Sequence, residues 1–202
     1  LAMELLRLGA AHITLVDKFA PPDDAHNLSL LPLNEEYLKE EQGCVTPHPE
    51  KITLIEQDIL SEDVRSAISK VDILLSSSVY EHLDDVENIT KSLAMLTKPE
   101  GIQLHYVDLR DHYFKYPFEM LCYSKKVWYG WLNPSSNHNR YRVWDYRQAF
   151  EQHFADVNLV VTERDETAFE AIHPRIRPEF IRGDLAEDSV TLIKVIARQP
   201  KL

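Results

Sequence analysis

One stretch decides the fold: Asp72-Ile-Leu-Leu-Ser-Ser-Ser-Val-Tyr-Glu-His-Leu-Asp-Asp85. Its first residues, 72–76, are an apolar run with the length and composition of a buried strand. Asp84 or Asp85 can then start a helix as its N-terminal cap. An apolar stripe follows at helical spacing: Val86, Ile89, Leu93 and Leu96. A buried strand that leads into an amphipathic helix is typical of an α/β sheet.

The same alternation continues in both directions from this stretch. Three more buried strands are predicted, each with an acid at its carboxyl end: 13–16 before Asp17, 52–55 before Asp58, and 102–107 before Asp108. Further helices are predicted at 1–8, after Ser61 and at 143–154, and two last strands at 157–162 and 190–197. We therefore expect an α/β fold with a mostly parallel twisted sheet and helices on both faces. Ligands bind such sheets at the carboxyl ends of the strands.

Two segments interrupt the alternation. Residues 19–51 contain several prolines and are predicted to be an insertion, with a short helix at 35–42. Residues 110–142 are rich in aromatic side chains and are predicted to form a helical cap. The length of 202 residues suits a single domain that spans 1–202.

The composition limits the function. The chain has 33 acidic and 22 basic residues, a formal net charge of −11, which disfavours a nucleic-acid partner. It has no apolar run long enough to cross a membrane, so we expect no membrane partner and a cytoplasmic location. Cys44 and Cys122 lack metal-ligand spacing and are expected to be free thiols rather than a disulfide. A small-molecule substrate is expected, and a homodimer is possible.

The deciding stretch and the turn Leu96-Thr-Lys-Pro-Glu-Gly101 resemble the class I S-adenosylmethionine-dependent methyltransferases. In that family a strand that opens with Asp is followed by a Glu-His pair, a helix and a Leu-x-Pro-x-Gly turn into the next strand. The resemblance implies a Rossmann-like methyltransferase fold with a C-terminal antiparallel hairpin. It also implies that the chain is an enzyme, with S-adenosylmethionine as cofactor and S-adenosylhomocysteine as product.

The resemblance further implies these cofactor-binding residues: Asp17, Lys18, Asp58, Ile59, Ser76 and Ser77. Asp17 stands where the family holds the ribose hydroxyls, and Asp58 where it contacts the adenine. The two serines stand where the methionine end lies. Local alternatives remain open, because Asp17 can cap a loop, Asp58 can start a turn, and serines are common where a strand leaves a sheet.

The family's first strand and its Gly-x-Gly-x-Gly loop are not found in the sequence, which begins at Leu1 without an initiator Met. In the family that strand lies at the centre of the sheet, between the strands that end at Asp17 and Ser76. Its loss would leave buried N–H and C=O groups unpaired at a cost of roughly 1–3 kcal/mol each. We therefore expect the strand to exist upstream in the native protein.

Candidate catalytic residues follow the strands of the deciding block. His82 and His112 are the candidates for proton transfer, because an imidazole can accept a proton near neutral pH. Asp111 is a second candidate for substrate contact, and Glu81 and His82 can instead be structural. No metal site is expected. Arg140 and Arg142 can bind an anion within a lid, or can pair with acids in a structural cap.

Three functions therefore stay open at this point. The first is methyl transfer to an unidentified small molecule or biosynthetic intermediate. The second is a nicotinamide-dependent oxidoreductase, which also uses an acid after its second strand. The third is a methyltransferase-like domain without catalytic activity. The Glu-His block and the turn at Pro99 favour the first.

Overall fold

The computed structural model describes residues 1–18, 24–114, 116–133 and 138–201, with only the backbone of Asp24 and Ala25. The chain divides into two compact units, Leu1–Ser69 and Lys70–Leu202, and each is described by itself. No helix within the described ranges is long and apolar enough to cross a membrane.

The first unit contains two small sheets. Its helices are α1 (Ala2–Arg7), α2 (Asp24–Leu30) and α3 (Glu62–Ala67), and its strands are β1 (Ile13–Val16), β2 (Leu38–Glu41), β3 (Cys44–Pro47) and β4 (Ile52–Ile55). Strands β1 and β4 pair in parallel, and β2 and β3 pair antiparallel. A small apolar core holds the unit together: Leu6, Tyr37, Leu38 and Ile52.

The insertion corrects one expectation. The helix predicted at 35–42 is wrong, because β2 occupies its second half and turns back into β3. Gln42 and Gly43 connect the two strands, and both have positive φ angles, of 57° and 85°. Two consecutive positive φ angles define the tight turn that matches the twist of a hairpin. The predicted insertion boundary near residue 19 lies outside the described residues.

The second unit is built on a four-stranded sheet. Its strands are β5 (Val71–Ser77), β6 (Thr97–Asp108), β7 (Phe154–Arg164) and β8 (Val190–Pro200), and its helices are α4 (Val86–Leu96), α5 (Lys125–Val127), α6 (Val143–His153), α7 (Glu166–Ile172) and α8 (Leu185–Asp188). The strands lie in the order β5-β6-β8-β7. Short 3-10 turns connect several of these elements: Tyr80–His82, Glu119–Cys122, His173–Arg175 and Pro178–Phe180.

This sheet is mixed rather than mostly parallel. Strand β5 pairs in parallel with β6, whereas β8 pairs antiparallel with both β6 and β7. Within the described residues, the expected parallel pairing is found only in β1–β4 and β5–β6. A strand that follows its neighbour through a helix can return in parallel, whereas β8 enters from the opposite end of the sheet. The α/β class predicted from the sequence is confirmed.

The boundaries of α4 follow the predicted chemistry. The Asp85 side chain accepts a hydrogen bond from the backbone N–H of Asn88 at 3.0 Å, so Asp85 is the N-terminal cap. The helix ends at Leu96, and the Pro-Glu-Gly turn forms the irregular start of β6. A Cβ on Gly101 would lie 3.0 Å from the carbonyl oxygens of Lys98 and Val71, which leaves no room for a side chain.

The aromatic segment packs as a core rather than an open lid. Its side chains form one apolar cluster with those of α7 and the following turn: Phe118, Met120, Leu121, Trp128, Phe169 and Ile176. Helix α6 adds a second apolar face, with Tyr146 and Phe150 fully buried. Residues 115 and 134–137 of the predicted cap lie outside the described residues. Both cysteines are free thiols.

Candidate functional site

The carboxyl ends of β5 and β6 lie side by side, because these strands are parallel neighbours. Strand β5 ends at Ser77, and Ser78 turns the chain with a φ of 53° while its N–H donates to the Tyr106 carbonyl at 3.0 Å. Strand β6 ends at Asp108. Four of the predicted site residues lie on or directly after these strands: Ser76, Ser77, His82 and His112. This edge is therefore the candidate site of the second unit.

Ser76 is tied to the interior of the sheet. Its Oγ lies 2.7 Å from Nδ1 of His105, its partner in the β5–β6 register. His105 is fully buried, and burial lowers its pKa to about 3, so its ring is neutral at physiological pH. Ser77 is exposed. His105 therefore faces Ser76 and the core.

Glu81 is the most unusual carboxyl group at this edge. Its side chain is 1% exposed, and neither oxygen has a hydrogen-bond partner of ordinary geometry within the described residues. Burial raises its pKa to about 7; nearby backbone N–H groups and the Ser78 hydroxyl lower it by less. Asn139 holds the turn in place, since its backbone N–H donates to the Glu81 carbonyl at 2.7 Å.

Three imidazole rings meet beside this turn. The ring centroids of His112 and His138 are 4.4 Å apart, and His82 lies 5.4 Å from each of them. The structure thus brings the two predicted catalytic histidines together and adds a third, which the sequence analysis missed.

The backbone of His138 is fixed by hydrogen bonds, whereas its ring nitrogens have none within the described residues. Its carbonyl oxygen accepts from Trp128 Nε1 at 3.0 Å and from Asn133 Nδ2 at 2.7 Å. The residue is 2% exposed, and neither ring nitrogen has a partner in the described part of the chain. Burial, together with the neighbouring His112 and His82, lowers its pKa to about 3. His138 therefore presents a neutral ring with an unused hydrogen-bond acceptor.

Asp108 contacts one of these histidines, His112, and lines a cavity. Burial by itself would raise its pKa, but hydrogen bonds and charge from Arg110 lower it below its usual value. The two groups pair through Arg110 Nη2 at 2.6 Å, and Nε2 of His112 lies 3.4 Å from the same carboxylate. A cavity of about 370 Å³ opens here, lined by Asp108, Arg110, Asp111, His112 and Pro117. It is large enough to admit part of a small molecule.

The other candidates of this region brace the fold. Asp111 Oδ1 accepts from the N–H groups of Tyr113 and Phe114, so this carboxylate closes a loop. Arg140 donates to two carbonyls of the aromatic segment, and Arg142 donates to three carbonyls at the ends of β6, α8 and β8. Both guanidinium groups are buried in these contacts, which favours the structural cap over an anion-binding lid.

The first unit carries the remaining predicted residues. Asp17 and Lys18 follow β1, and Asp58 and Ile59 follow β4, so the parallel pairing brings both ends to one edge. Lys18 Nζ lies 2.8 Å from Asp58 Oδ2, and this hydrogen bond, with another from the Leu60 N–H, lowers the pKa of Asp58. Asp17 and Lys18 are exposed, and Ile59 is half-buried.

The arrangement at the β5–β6 edge can accept a proton. A buried carboxyl group with a pKa near neutrality, as in Glu81, is a group that general-base chemistry uses, whereas the neutral ring of His138 can accept a hydrogen bond. The Glu-His pair was visible in the sequence, but the burial of Glu81 was not. His138 carried no periodic signal at all. Within the described ranges, no group of three or more His, Cys, Asp or Glu side chains is arranged to hold a metal ion.

No family model and no curated protein matches the sequence. Solved structures do match. The geranyl diphosphate C-methyltransferase of Streptomyces coelicolor A3(2), in complex with S-adenosylhomocysteine, has a TM-score of 0.54 at 12% identity, over 97% of this chain and 65% of that one. A geranyl diphosphate methyltransferase in complex with SAM has a TM-score of 0.52 at 10% identity, over 98% and 73%.

A third match is the CMeT domain of the citrinin polyketide synthase, with a TM-score of 0.50 at 13% identity, over 98% of this chain and 42% of that one. The chain spans less than two thirds of the length of two of these three proteins. All three are methyltransferases whose similarity extends over nearly the whole of this chain. The chain therefore has the fold of the class I S-adenosylmethionine-dependent methyltransferases.

Proposed function

We propose that this chain takes part in S-adenosylmethionine-dependent methyl transfer to a small molecule, which binds at the β5–β6 edge. One observation carries the proposal. At the carboxyl edge of a methyltransferase-fold sheet, three imidazoles cluster near the buried Glu81 carboxyl group, the ring nitrogens of His138 lack a partner within the described residues, and His112 lines a cavity. A site that binds the acceptor and takes up its proton can use such groups as a general base and as hydrogen-bond partners.

The residues present fit the cofactor in part. The exposed Asp17 carboxylate directly follows β1, and two carboxylate oxygens suit two ribose hydroxyls. Asp58 is engaged by Lys18, so this pair would have to rearrange if Asp58 contacts the adenine, whereas Ile59 offers apolar surface without such a change. We propose these cofactor contacts: Asp17, Lys18, Asp58, Ile59, Ser76 and Ser77. When bound, the cofactor supplies a methyl group on a sulfonium, an already activated leaving group.

The protein's own contribution is orientation and proton uptake. Orientation of two reactants can contribute about 7–11 kcal/mol to catalysis. We propose that His82 and His112 contact the acceptor and hold the proton that leaves it. The neighbouring Asp108 carboxylate, 3.4 Å from His112 Nε2, would stabilise the protonated ring. Glu81 would act as a second proton acceptor near neutral pH.

The proposal includes the family's first strand. Within the described residues β5 pairs only with β6, and Ile73 on β5 is 57% exposed. A parallel strand on the free edge of β5, followed by a glycine-rich loop, would pair its backbone groups and complete a cofactor site. In the same proposal, residues 1–202 form one methyltransferase domain, and β7 and β8 are its C-terminal hairpin.

Calorimetry with S-adenosylhomocysteine tests the function. We expect binding by the full protein, and a loss of at least tenfold in affinity in Asp17→Asn, which corresponds to about 1.4 kcal/mol. Asp156→Asn is the matched control, because Asp156 is an exposed carboxylate on β7. Binding of NAD(H) without binding of S-adenosylhomocysteine would reverse the proposal. Absence of binding of either ligand would favour a methyltransferase-like domain without activity.

A further inference from the structure

A chain of hydrogen bonds runs through the buried interior from the end of α4 to Ser76. The Thr97 hydroxyl donates to the Leu93 carbonyl at 2.8 Å, and Gln103 Nε2 donates to Thr97 Oγ1 at 2.7 Å. Gln103 Oε1 lies 3.0 Å from His105 Nε2, and His105 Nδ1 lies 2.7 Å from Ser76 Oγ. Gln103 and His105 share one face of β6, because they are two residues apart on a strand.

The direction of every bond in this chain follows from its first member. A carbonyl oxygen only accepts, so the Thr97 hydroxyl proton is committed to Leu93. Thr97 Oγ1 must then accept from Gln103, which places the Gln103 amide nitrogen toward Thr97 and its oxygen toward His105. That oxygen can only accept, so His105 carries its proton on Nε2. Its Nδ1 is therefore an acceptor, and the Ser76 hydroxyl must donate to it.

Burial leaves these groups no alternative. Thr97, Gln103 and His105 are each 0% exposed. The centroids of the Tyr80 and Phe150 rings lie 4.7 and 5.3 Å from the centroid of the His105 ring, so aromatic side chains pack against it. A ring in this position stays neutral. A second proton on Nδ1 would also point at the hydroxyl proton of Ser76, so that two donors would face each other.

We propose that this chain of hydrogen bonds makes Ser76 Oγ act only as a hydrogen-bond acceptor toward ligands. Ser76 therefore favours an ammonium group, which donates hydrogen bonds, over a carboxylate, which only accepts them. Because its only proton points at His105, Oγ presents lone pairs alone at the end of β5. The inference rests on the proposed function, in which Ser76 faces the amino-acid end of the methyl donor. There it would accept from the ammonium group. Gln103 and Thr97 act as positioning residues through His105.

Nitrogen NMR of labelled histidine tests the direction of the bonds without any ligand. We expect His105 to be the Nε2–H tautomer between pH 5 and pH 8. Gln103→Leu removes the acceptor of this proton and should shift His105 toward the Nδ1–H tautomer, whereas Gln103→Glu keeps an acceptor and should preserve Nε2–H. Gln148→Leu, on the exposed side of α6, is the control and should change nothing. A predominant Nδ1–H tautomer in the parent protein would overturn the proposal.

Calorimetry with two probes tests the ligand class. Ser76→Ala should weaken binding of S-adenosylhomocysteine at least fivefold and leave binding of its deaminated analogue unchanged. An equal loss for both probes would overturn the selection of an ammonium group. If the parent protein binds neither probe, the proposed function and this ligand assignment both fail, and the tautomer of His105 still decides whether Ser76 is an acceptor.

Discussion

The buried carboxyl group of Glu81 should make the second unit less stable as the pH rises. An acid whose pKa is raised by folding binds more protons in the folded state than in the unfolded state. Its stabilising effect is complete below the ordinary value of 4.5 and is lost as the pH passes through about 7. The neutral isostere in Glu81→Gln removes this titration and leaves the shape of the side chain almost unchanged.

The size of the effect follows from the two pKa values. Each pKa unit corresponds to 1.36 kcal/mol, so the rise from 4.5 to about 7 sets a limit of about 3 kcal/mol. Between pH 5 and pH 8 the part that develops is about 2 kcal/mol, once some solvent access is allowed for. Relative to the variant, the parent protein should thus lose about 2 kcal/mol of unfolding free energy over this interval. Any fixed cost of burying the Gln amide cancels in this comparison.

Urea unfolding at pH 5 and pH 8, followed by tryptophan fluorescence, measures this difference. Trp128, Trp131 and Trp144 all lie in the second unit, so the signal reports that unit. Glu100→Gln is the matched control, because Glu100 is exposed on the same unit and its variant should follow the parent protein within about 0.5 kcal/mol. A constant gap between Glu81→Gln and the parent protein at both pH values would refute the reasoning.

Three further predictions concern contacts that the structure shows directly. Arg142→Met leaves three buried carbonyls without their donor and should lower the free energy of unfolding in urea by about 3–5 kcal/mol. The control Arg147→Met breaks a half-exposed ion pair and should lower it by less than about 1 kcal/mol. Gly101→Ala brings a Cβ within 3.0 Å of two carbonyl oxygens and should cost about 1–3 kcal/mol in the same assay; an unchanged midpoint would contradict the packing. Lys18→Met should raise the pKa of Asp58 toward its ordinary value, because Lys18 is the main cause of its lowering. Carboxyl NMR measures this pKa, and an unchanged value in the variant would show that the pair is absent in solution.

The regular elements could be predicted because each carries a local signal. The cap at Asp85, the end of α4 before the Pro-Glu-Gly turn and the positions of β1, β4 and β5 follow from residue type and period alone. The burial expected of these three strands is not found, because most of their residues are half-buried or exposed. The hairpin of β2 and β3 could not, because its Glu-rich sequence favours a helix and only the turn at Gln42-Gly43 decides otherwise. The direction in which β8 enters the sheet has no local signal either.

The site was predictable where it follows strand ends, and not where it depends on distant packing. His82 and His112 were found because each stands a few residues beyond a strand. His138 was missed, because its position beside His82 and His112 depends on Trp128 and Asn133, whose side chains donate hydrogen bonds to its carbonyl oxygen. The cofactor contacts, the homodimer and the cytoplasmic location stay predictions.

The buried polar groups of the second unit fall into two kinds, and the contrast bears on the proposed function. Arg142 and the chain from Thr97 to Ser76 direct their polar atoms almost entirely at partners, so that little free energy is lost on burial. Glu81 and His138 are equally buried, yet the ring nitrogens of His138 lack a partner within the described residues, and the carboxyl oxygens of Glu81 lack one of ordinary geometry. Each such group destabilises the fold by about 1–3 kcal/mol. Single side-chain atoms of other buried residues also lack a partner within the described residues, among them Asp111 Oδ2, Arg140 Nε and Arg142 Nε, but Glu81 and His138 each leave two. These atoms belong to titratable groups and lie at the edge of the second unit where the parallel strands β5 and β6 end, and open α/β sheets bind ligands at such edges. This loss of stability fits the proposed function, in which these atoms are kept for a substrate.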